Sequence, residues 1–213
     1  RFDRVTASVH ECEFAGCAHG RYISVAQDGD EVIIYGADEG DFYNIWRGYF
    51  ALDADMAAIR RDIIAHSDAP RLSYAAEVGR GIRILRQNSW EALCSFIISQ
   101  NNNIPRIKGI IERLCDSFGD GEKGKKSFPT AEVISKLSVE DLSPIRAGFR
   151  AKYIIDAAQK VANGEVDFRK IPDSPIEFGR EELQKIKGVG AKDHSKYLAV
   201  VYNFGVCTDA PAD

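Results

Sequence analysis

The clearest chemical pattern in this sequence lies near its end, at residues 183–192, LQKIKGVGAK. Gly188 and Gly190 let the backbone turn sharply and approach another molecule closely. The N–H groups that open the following helix then point at an anion such as a nucleic-acid phosphate. An ordinary helix C-cap between two packed helices would carry similar glycines, but the apolar residue before GVG and the long apolar run after it favour a helix-hairpin-helix turn. Lys192 stands at the start of that second helix. There it is either a solvated phosphate contact or a nucleophile. The second role requires loss of a proton from a group whose ordinary pKa is about 10.4, and Lys187, Lys196 and the positive helix end all push that way.

A second pattern lies mid-chain. CSFIISQNNNIPRIKGIIERLC places Asn101, Asn102 and Asn103 between two apolar helices, with Arg106 one turn later. Three consecutive amides are unfavourable within a helix but suit a cap that also hydrogen-bonds base edges. Further on, IRAGFRAKY supplies Arg146, Phe149, Arg150 and Lys152 without an acid among them. An aromatic flanked by arginines is what a wedge between base steps needs. The alternatives are a capped turn and a packed aromatic.

These residues need a scaffold, and the periodicity supplies one. Residues 21–36, RYISVAQDGDEVIIYG, put β-favouring residues on both sides of Asp28-Gly29, a dipeptide suited to a tight hairpin. After Gly48 the spacing becomes helical. Asn88 caps a helix with Glu91 at its third position, and Trp90, Leu93, Cys94, Ile97 and Ile98 form its apolar face. A second helix opens around Pro105 and buries Ile107, Ile111, Leu114, Cys115 and Phe118. GDGEKGKKS is a loop, short helices are expected over 130–137 and 138–146, and a longer one over 150–163 is closed by Asn163-Gly164. The expected fold is α+β: a small N-terminal antiparallel β-sheet, residues 1–50, packed on a mainly helical body, residues 51–213, with the hairpin motif near 181–204.

Composition bounds the remaining classes. The net charge of −4 is uneven, with 7 basic and 14 acidic side chains over residues 1–79 against 21 and 18 over residues 80–213. Local clusters matter more than the total for phosphate contact. The 5 cysteines are odd in number and scattered, which argues against a disulfide framework. Cys12 and Cys17, with His10 and His19 nearby, invite comparison with a metal site, but the spacing is wide and no second pair follows; no metal site is assigned. A metal-dependent hydrolase around His10 and His19 would lose activity in chelator. No apolar stretch approaches the roughly 20 residues of a membrane span, and the N-terminus lacks the apolar core of a signal peptide, so an intracellular protein is expected; a monomer is the separate expectation for its assembly.

Taken together, GIRILRQNSWEALCSFIISQNNNIPRIKGIIERLC, then GFRAKY, then GVGAK, resemble the 8-oxoguanine DNA glycosylase family, in order and at similar spacing from about Arg21 to Lys192. GVGAK alone indicates only the wider helix-hairpin-helix glycosylase superfamily. The resemblance implies an enzyme that flips 8-oxoguanine from duplex DNA, opposite cytosine, with associated lyase activity. Lys192 matches the family's Schiff-base lysine, Asn101, Arg106 and Arg150 match contacts to the widowed cytosine, and Phe149 stands at its aromatic wedge. A catalytic aspartate is expected in a Pro-x-Asp setting. Asp213 in PAD fits it at a slightly longer spacing, and Asp209 is the other candidate. DHSKY after Lys192 departs from a usually small, apolar run, leaving Lys196 where a pocket cysteine often stands. The family also has a strand before this chain's start and pocket helices beyond Asp213. No cofactor is required, and a monovalent cation at the hairpin carbonyls is the one ion implied. The expected partner is double-stranded DNA containing oxidised guanine. Two alternatives remain open: a helix-hairpin-helix glycosylase for another damaged base, and a non-catalytic DNA-binding fragment.

Overall fold

The computed structural model describes residues 2–10, 12–65, 70–172 and 174–190. Lys192, Asp209 and Asp213 lie outside them. The chain divides into two compact units, Arg1–Ala37 with Gln87–Asp213, and Asp38–Arg86. The expected boundary at residue 50 falls inside the second.

The first unit opens with four antiparallel strands in sequence order, β1 (Phe2–Arg4), β2 (Cys12–Ala18), β3 (Arg21–Asp28) and β4 (Glu31–Tyr35). Phe14 pairs with Val25, and Val25 with Ile34, so an apolar row crosses β2, β3 and β4. The expected hairpin is present with its turn one residue later. Asp28 pairs with Glu31, leaving Gly29-Asp30 as the loop, and Gly29 takes φ +57 at the first turn position. The register runs unbroken from Cys12 to Ala18. Cys12 and Cys17, an odd number of residues apart, therefore face opposite sides of the sheet. Cys17 Sγ donates to Lys125 O at 3.1 Å, and His10 Nε2 shares a 2.7 Å hydrogen bond with the Tyr35 hydroxyl. Among the described residues no group of three or more His, Cys, Asp or Glu converges as a metal site.

In the second unit a helical run over residues 39–49 contains a π-helical stretch, Phe42–Trp46. The helical spacing read after Gly48 is interrupted by turns until Asp55 accepts from Ala58 N at 2.8 Å and starts α1 (Met56–Ala65). Helix α2 (Pro70–Val78) follows.

The helical body of the first unit begins at α3 (Ser89–Ser99), where Asn88 Oδ1 accepts from Glu91 N at 3.1 Å as expected. Helices α4 (Ile104–Phe118), α5 (Ala131–Ile134), α6 (Ala151–Ala162) and α7 (Ile176–Gln184) follow among the described residues. Leu93, Ile97 and Ile98 of α3 share a core with Ile110 and Leu114 of α4, Ile154 and Ala157 of α6, and Leu183. Each of the leucine and isoleucine side chains contributes about 1.5–3 kcal/mol by leaving water. The helix expected over 138–146 does not form. Ser138 and Asp141 do exchange cap hydrogen bonds, at 2.9 and 3.2 Å, but Pro144 follows and the chain makes only a 3-10 turn, Ser143–Ile145. A proline disfavours α geometry in the residue before it and cannot donate. Helix α7 starts at Ile176, earlier than the expected 181. Among the described residues no helix is long and apolar enough to cross a membrane.

Candidate nucleic-acid interface

The loop between α3 and α4 is built by its own amides. Asn101 takes φ +46, a left-handed conformation that asparagine tolerates better than most residues. Asn102 Nδ2 donates to Ile98 O at 3.0 Å, and its Oδ1 accepts from Asn103 N at 3.1 Å. Asn103 Oδ1 accepts from Arg106 N at 3.0 Å and so caps α4. The cap is as expected, but Asn102 commits both ends of its amide to the turn and Asn103 its Oδ1, while Asn101, Asn103 and Arg106 are exposed.

Arg150 departs further from its expected role. It is only 3% exposed, and its guanidinium lies under the asparagine turn rather than on the surface. Nε donates to Gln100 O at 2.9 Å, Nη2 donates to Gln100 O and to Asn101 O at 2.9 Å, and Nη1 donates to Ala147 O at 3.4 Å. Burial, and then the charge of Arg106, push its pKa down from the ordinary arginine value. Its planar fork spans two successive carbonyls, which a lysine ammonium cannot do in the same way. Arg150→Lys is thus expected to destabilise the fold by about 1–3 kcal/mol through lost charge-assisted hydrogen bonds. Urea titration checks this; an unchanged unfolding free energy would show that the fork is dispensable.

Phe149 stands exposed at a turn. Arg146 at φ +57 and Gly148 at φ +63 reverse the chain before the 3-10 turn Gly148–Arg150, and the Phe149 ring is left 53% exposed. The Arg150 guanidinium carbon lies 4.5 Å from that ring's centroid, and Tyr153 meets the ring edge-on at 6.1 Å.

Tyr153 in turn faces the hairpin. Gly188 has φ +87, and a Cβ at that position would lie 2.7 Å from Tyr153 Cγ, so glycine is required for both conformation and space. Gln100 Nε2 donates to Gly188 O, tying the asparagine turn to the hairpin. Ile186 and Val189 are buried in the core, and Lys187 and Gly190 are exposed. Lys185 O accepts from Lys160 Nζ.

The fold thereby gathers Asn101, Arg106, Phe149 and Gly188 around Gln100, Arg150 and Tyr153, while Lys192 and Asp213 lie outside the described residues. Gln100, Tyr153 and the hairpin-binding Asp156 are additions to the residues singled out from sequence. Tyr153 closes the IRAGFRAKY segment and Gln100 stands in the polar run, but neither pattern identifies a partner in the hairpin. Chemically, the surface combines an exposed aromatic, arginine charge, an exposed amide and a close backbone turn. That combination suits insertion into a base stack and contact with phosphate and base edges.

Comparison with known proteins agrees with this chemistry. Residues 2–93 match the family model for the 8-oxoguanine DNA glycosylase N-terminal domain, and residues 94–203 match that of the HhH-GPD superfamily base excision DNA repair proteins. The N-glycosylase/DNA lyase of Saccharomyces cerevisiae is 36% identical over 161 residues, covering 68% of this chain and 42% of the yeast protein. The solved structure of Clostridium acetobutylicum 8-oxoguanine glycosylase/lyase with double-stranded DNA containing cytosine opposite 8-oxoguanine is 33% identical, with a TM-score of 0.85 over 95% of this chain and 69% of that one. A structure of MBOgg1 with a low-affinity DNA ligand is 40% identical, with a TM-score of 0.84 over 94% and 68% of the respective chains. The chain spans less than half the length of the curated relatives it matches.

Proposed function

The chain belongs to the 8-oxoguanine DNA glycosylase family, within the HhH-GPD superfamily, and from that footing we propose that it excises 8-oxoguanine opposite cytosine in duplex DNA and then nicks the strand as a monomeric glycosylase and lyase. The observation that carries this reading is the linked surface of Asn101, Arg106, Phe149 and the hairpin, because phosphate anchoring alone needs no exposed aromatic ring beside an exposed amide.

The duplex is anchored at the hairpin, through backbone N–H groups around Gly188 and Gly190. Phe149 fills the space left by the extruded nucleotide, and Asn101 and Arg106 meet the widowed cytosine. Extrusion costs a few kcal/mol, which stacking and the new hydrogen bonds offset. Arg150 holds the asparagine turn beneath these contacts. Lys192 attacks C1′ of the sugar: the nitrogen–C1′ bond forms, the C1′–N9 bond breaks, and the base leaves with the bonding pair and takes up a proton. The sugar ring then opens: the C1′–O4′ bond breaks as the nitrogen lone pair forms the C1′=N imine, O4′ takes up the proton lost by the nitrogen, and loss of a C2′ proton expels the 3′ phosphate by β-elimination. Asp213, or Asp209 in its place, stabilises positive charge developing on the sugar and helps deprotonate Lys192.

Excision from a panel of lesion duplexes tests the substrate, with 8-oxoguanine opposite cytosine expected to react fastest. A strong preference for an alkylated or other oxidised base would reassign it. Asn101→Ala and Arg106→Ala are expected to weaken discrimination for cytosine by roughly 1–3 kcal/mol while changing overall duplex binding less. Equal losses opposite every base would give these residues a role in the fold alone.

A further inference from the structure

Taking duplex binding from the reading above, we propose that Asp156 and Lys160 of α6 act as positioning residues, a polar clasp that holds the hairpin backbone in the form that receives DNA. The two stand four residues apart, on one face of α6. Asp156 Oδ2 accepts from Lys187 N at 2.9 Å and from Lys160 Nζ at 2.9 Å. Lys160 Nζ also donates to Lys185 O. The acidic member thus holds a backbone donor of the turn, and the basic member holds a backbone acceptor two residues away. Lys187 Nζ lies 3.7 Å from Asp156 Oδ1, which ties the exposed lysine of the hairpin to the same carboxylate.

The location explains why such a clasp is needed. Helix α7 ends at Gln184; the next donors, Lys185 N and Ile186 N, close short turns onto Glu182 O and Leu183 O, and Lys187 N, past that ladder, finds Asp156 instead. Ile186 and Val189 seat the hairpin in the core, but apolar contacts are non-directional and do not set the orientation of a peptide plane. A hydrogen bond accepted by Asp156 and one donated by Lys160 do. The side chains are only 15% and 17% exposed, and a pair withdrawn from water to that degree is weak as a source of stability. Its contribution is directional: it aims the Lys187 to Gly190 backbone, where the phosphate-facing N–H groups begin.

The test uses the full chain and a labelled undamaged duplex at fixed salt. Asp156→Ala is expected to raise Kd about 10-fold, the scale of one lost charged hydrogen bond. Its single-turnover excision rate at saturating lesion duplex should stay at the wild-type value. Asp156→Asn keeps an acceptor for Lys187 N–H and should recover most of the affinity. Equal Kd for wild type and Asp156→Ala overturns the clasp, as does a loss that asparagine does not rescue or a fall in excision rate of the same size as the affinity loss. If Asp156→Ala does not fold, Lys160→Met, which keeps the aliphatic stem and removes only the grip on Lys185 O, decides the matter: weaker duplex binding supports the clasp and unchanged binding overturns it. Wild-type protein that binds no duplex would overturn the DNA reading together with the clasp, an outcome distinct from equal binding by wild type and variant.

Discussion

Lys192→Gln is expected to abolish the covalent adduct that borohydride traps between this protein and duplex DNA containing 8-oxoguanine, while leaving duplex affinity within a few-fold of wild type. Glutamine approaches lysine in length and keeps a polar terminus, but it has no primary amine to form an imine. Excision should fall by on the order of 10⁴-fold or more, the scale on which removal of an enzymatic nucleophile registers. The small effect on affinity follows because phosphate anchoring is assigned to backbone N–H groups, which the substitution leaves in place. A trapped adduct of undiminished yield would acquit Lys192 and direct attention to another amine such as Lys196. Absence of any adduct in the wild type, with duplex binding intact, would favour a non-catalytic binding module. Asp213→Asn and Asp209→Asn, compared under the same conditions, distinguish the two carboxylates: the one that matters should slow excision without releasing the duplex.

The second large effect is expected at Gly188. Alanine there meets two separate costs, a left-handed backbone at φ +87 and a Cβ directed 2.7 Å from Tyr153 Cγ. The first is worth about 1–2 kcal/mol and the second, if the ring must be displaced from a packed position, about 1–3 kcal/mol more. Because Gly188 O also accepts from Gln100, movement of the hairpin disturbs the asparagine turn as well. Gly188→Ala should therefore lose duplex affinity by roughly 1.5 to 3.5 orders of magnitude where the whole cost falls on the DNA-binding form, since each 1.4 kcal/mol corresponds to about 10-fold. A cycle with Tyr153→Ala separates the two costs. Removing the ring should recover the steric part and leave the backbone part, so the double variant should bind better than the sum of the single losses implies. Strict additivity would mean that the ring is not what opposes a side chain at position 188.

Much of this protein is determined locally, and that part is legible in sequence. The turn at Gly29, the Asn88 cap, the buried faces of α3, α4 and α6, and the glycine hairpin each depend on side chains within a few residues of one another. Helical period, cap reach and turn conformation all act over that range. Residue order alone likewise marked Asn101, Arg106 and Phe149, whose exposure the structure retains. The tertiary structure decided which polar groups remain available for a partner. Arg150 reads as a surface cation, yet it is folded beneath a turn 50 residues earlier in the chain because the carbonyls of Gln100 and Asn101 meet its guanidinium there. Two of three consecutive asparagines became part of their own turn, and Gln100 found its acceptor 88 residues away. Asp156, unremarkable on an amphipathic helix, became the holder of the hairpin. Periodicity cannot reveal such assignments, because a buried donor bonds to whichever acceptor the packed chain brings within about 3 Å, and only long-range packing settles which one that is.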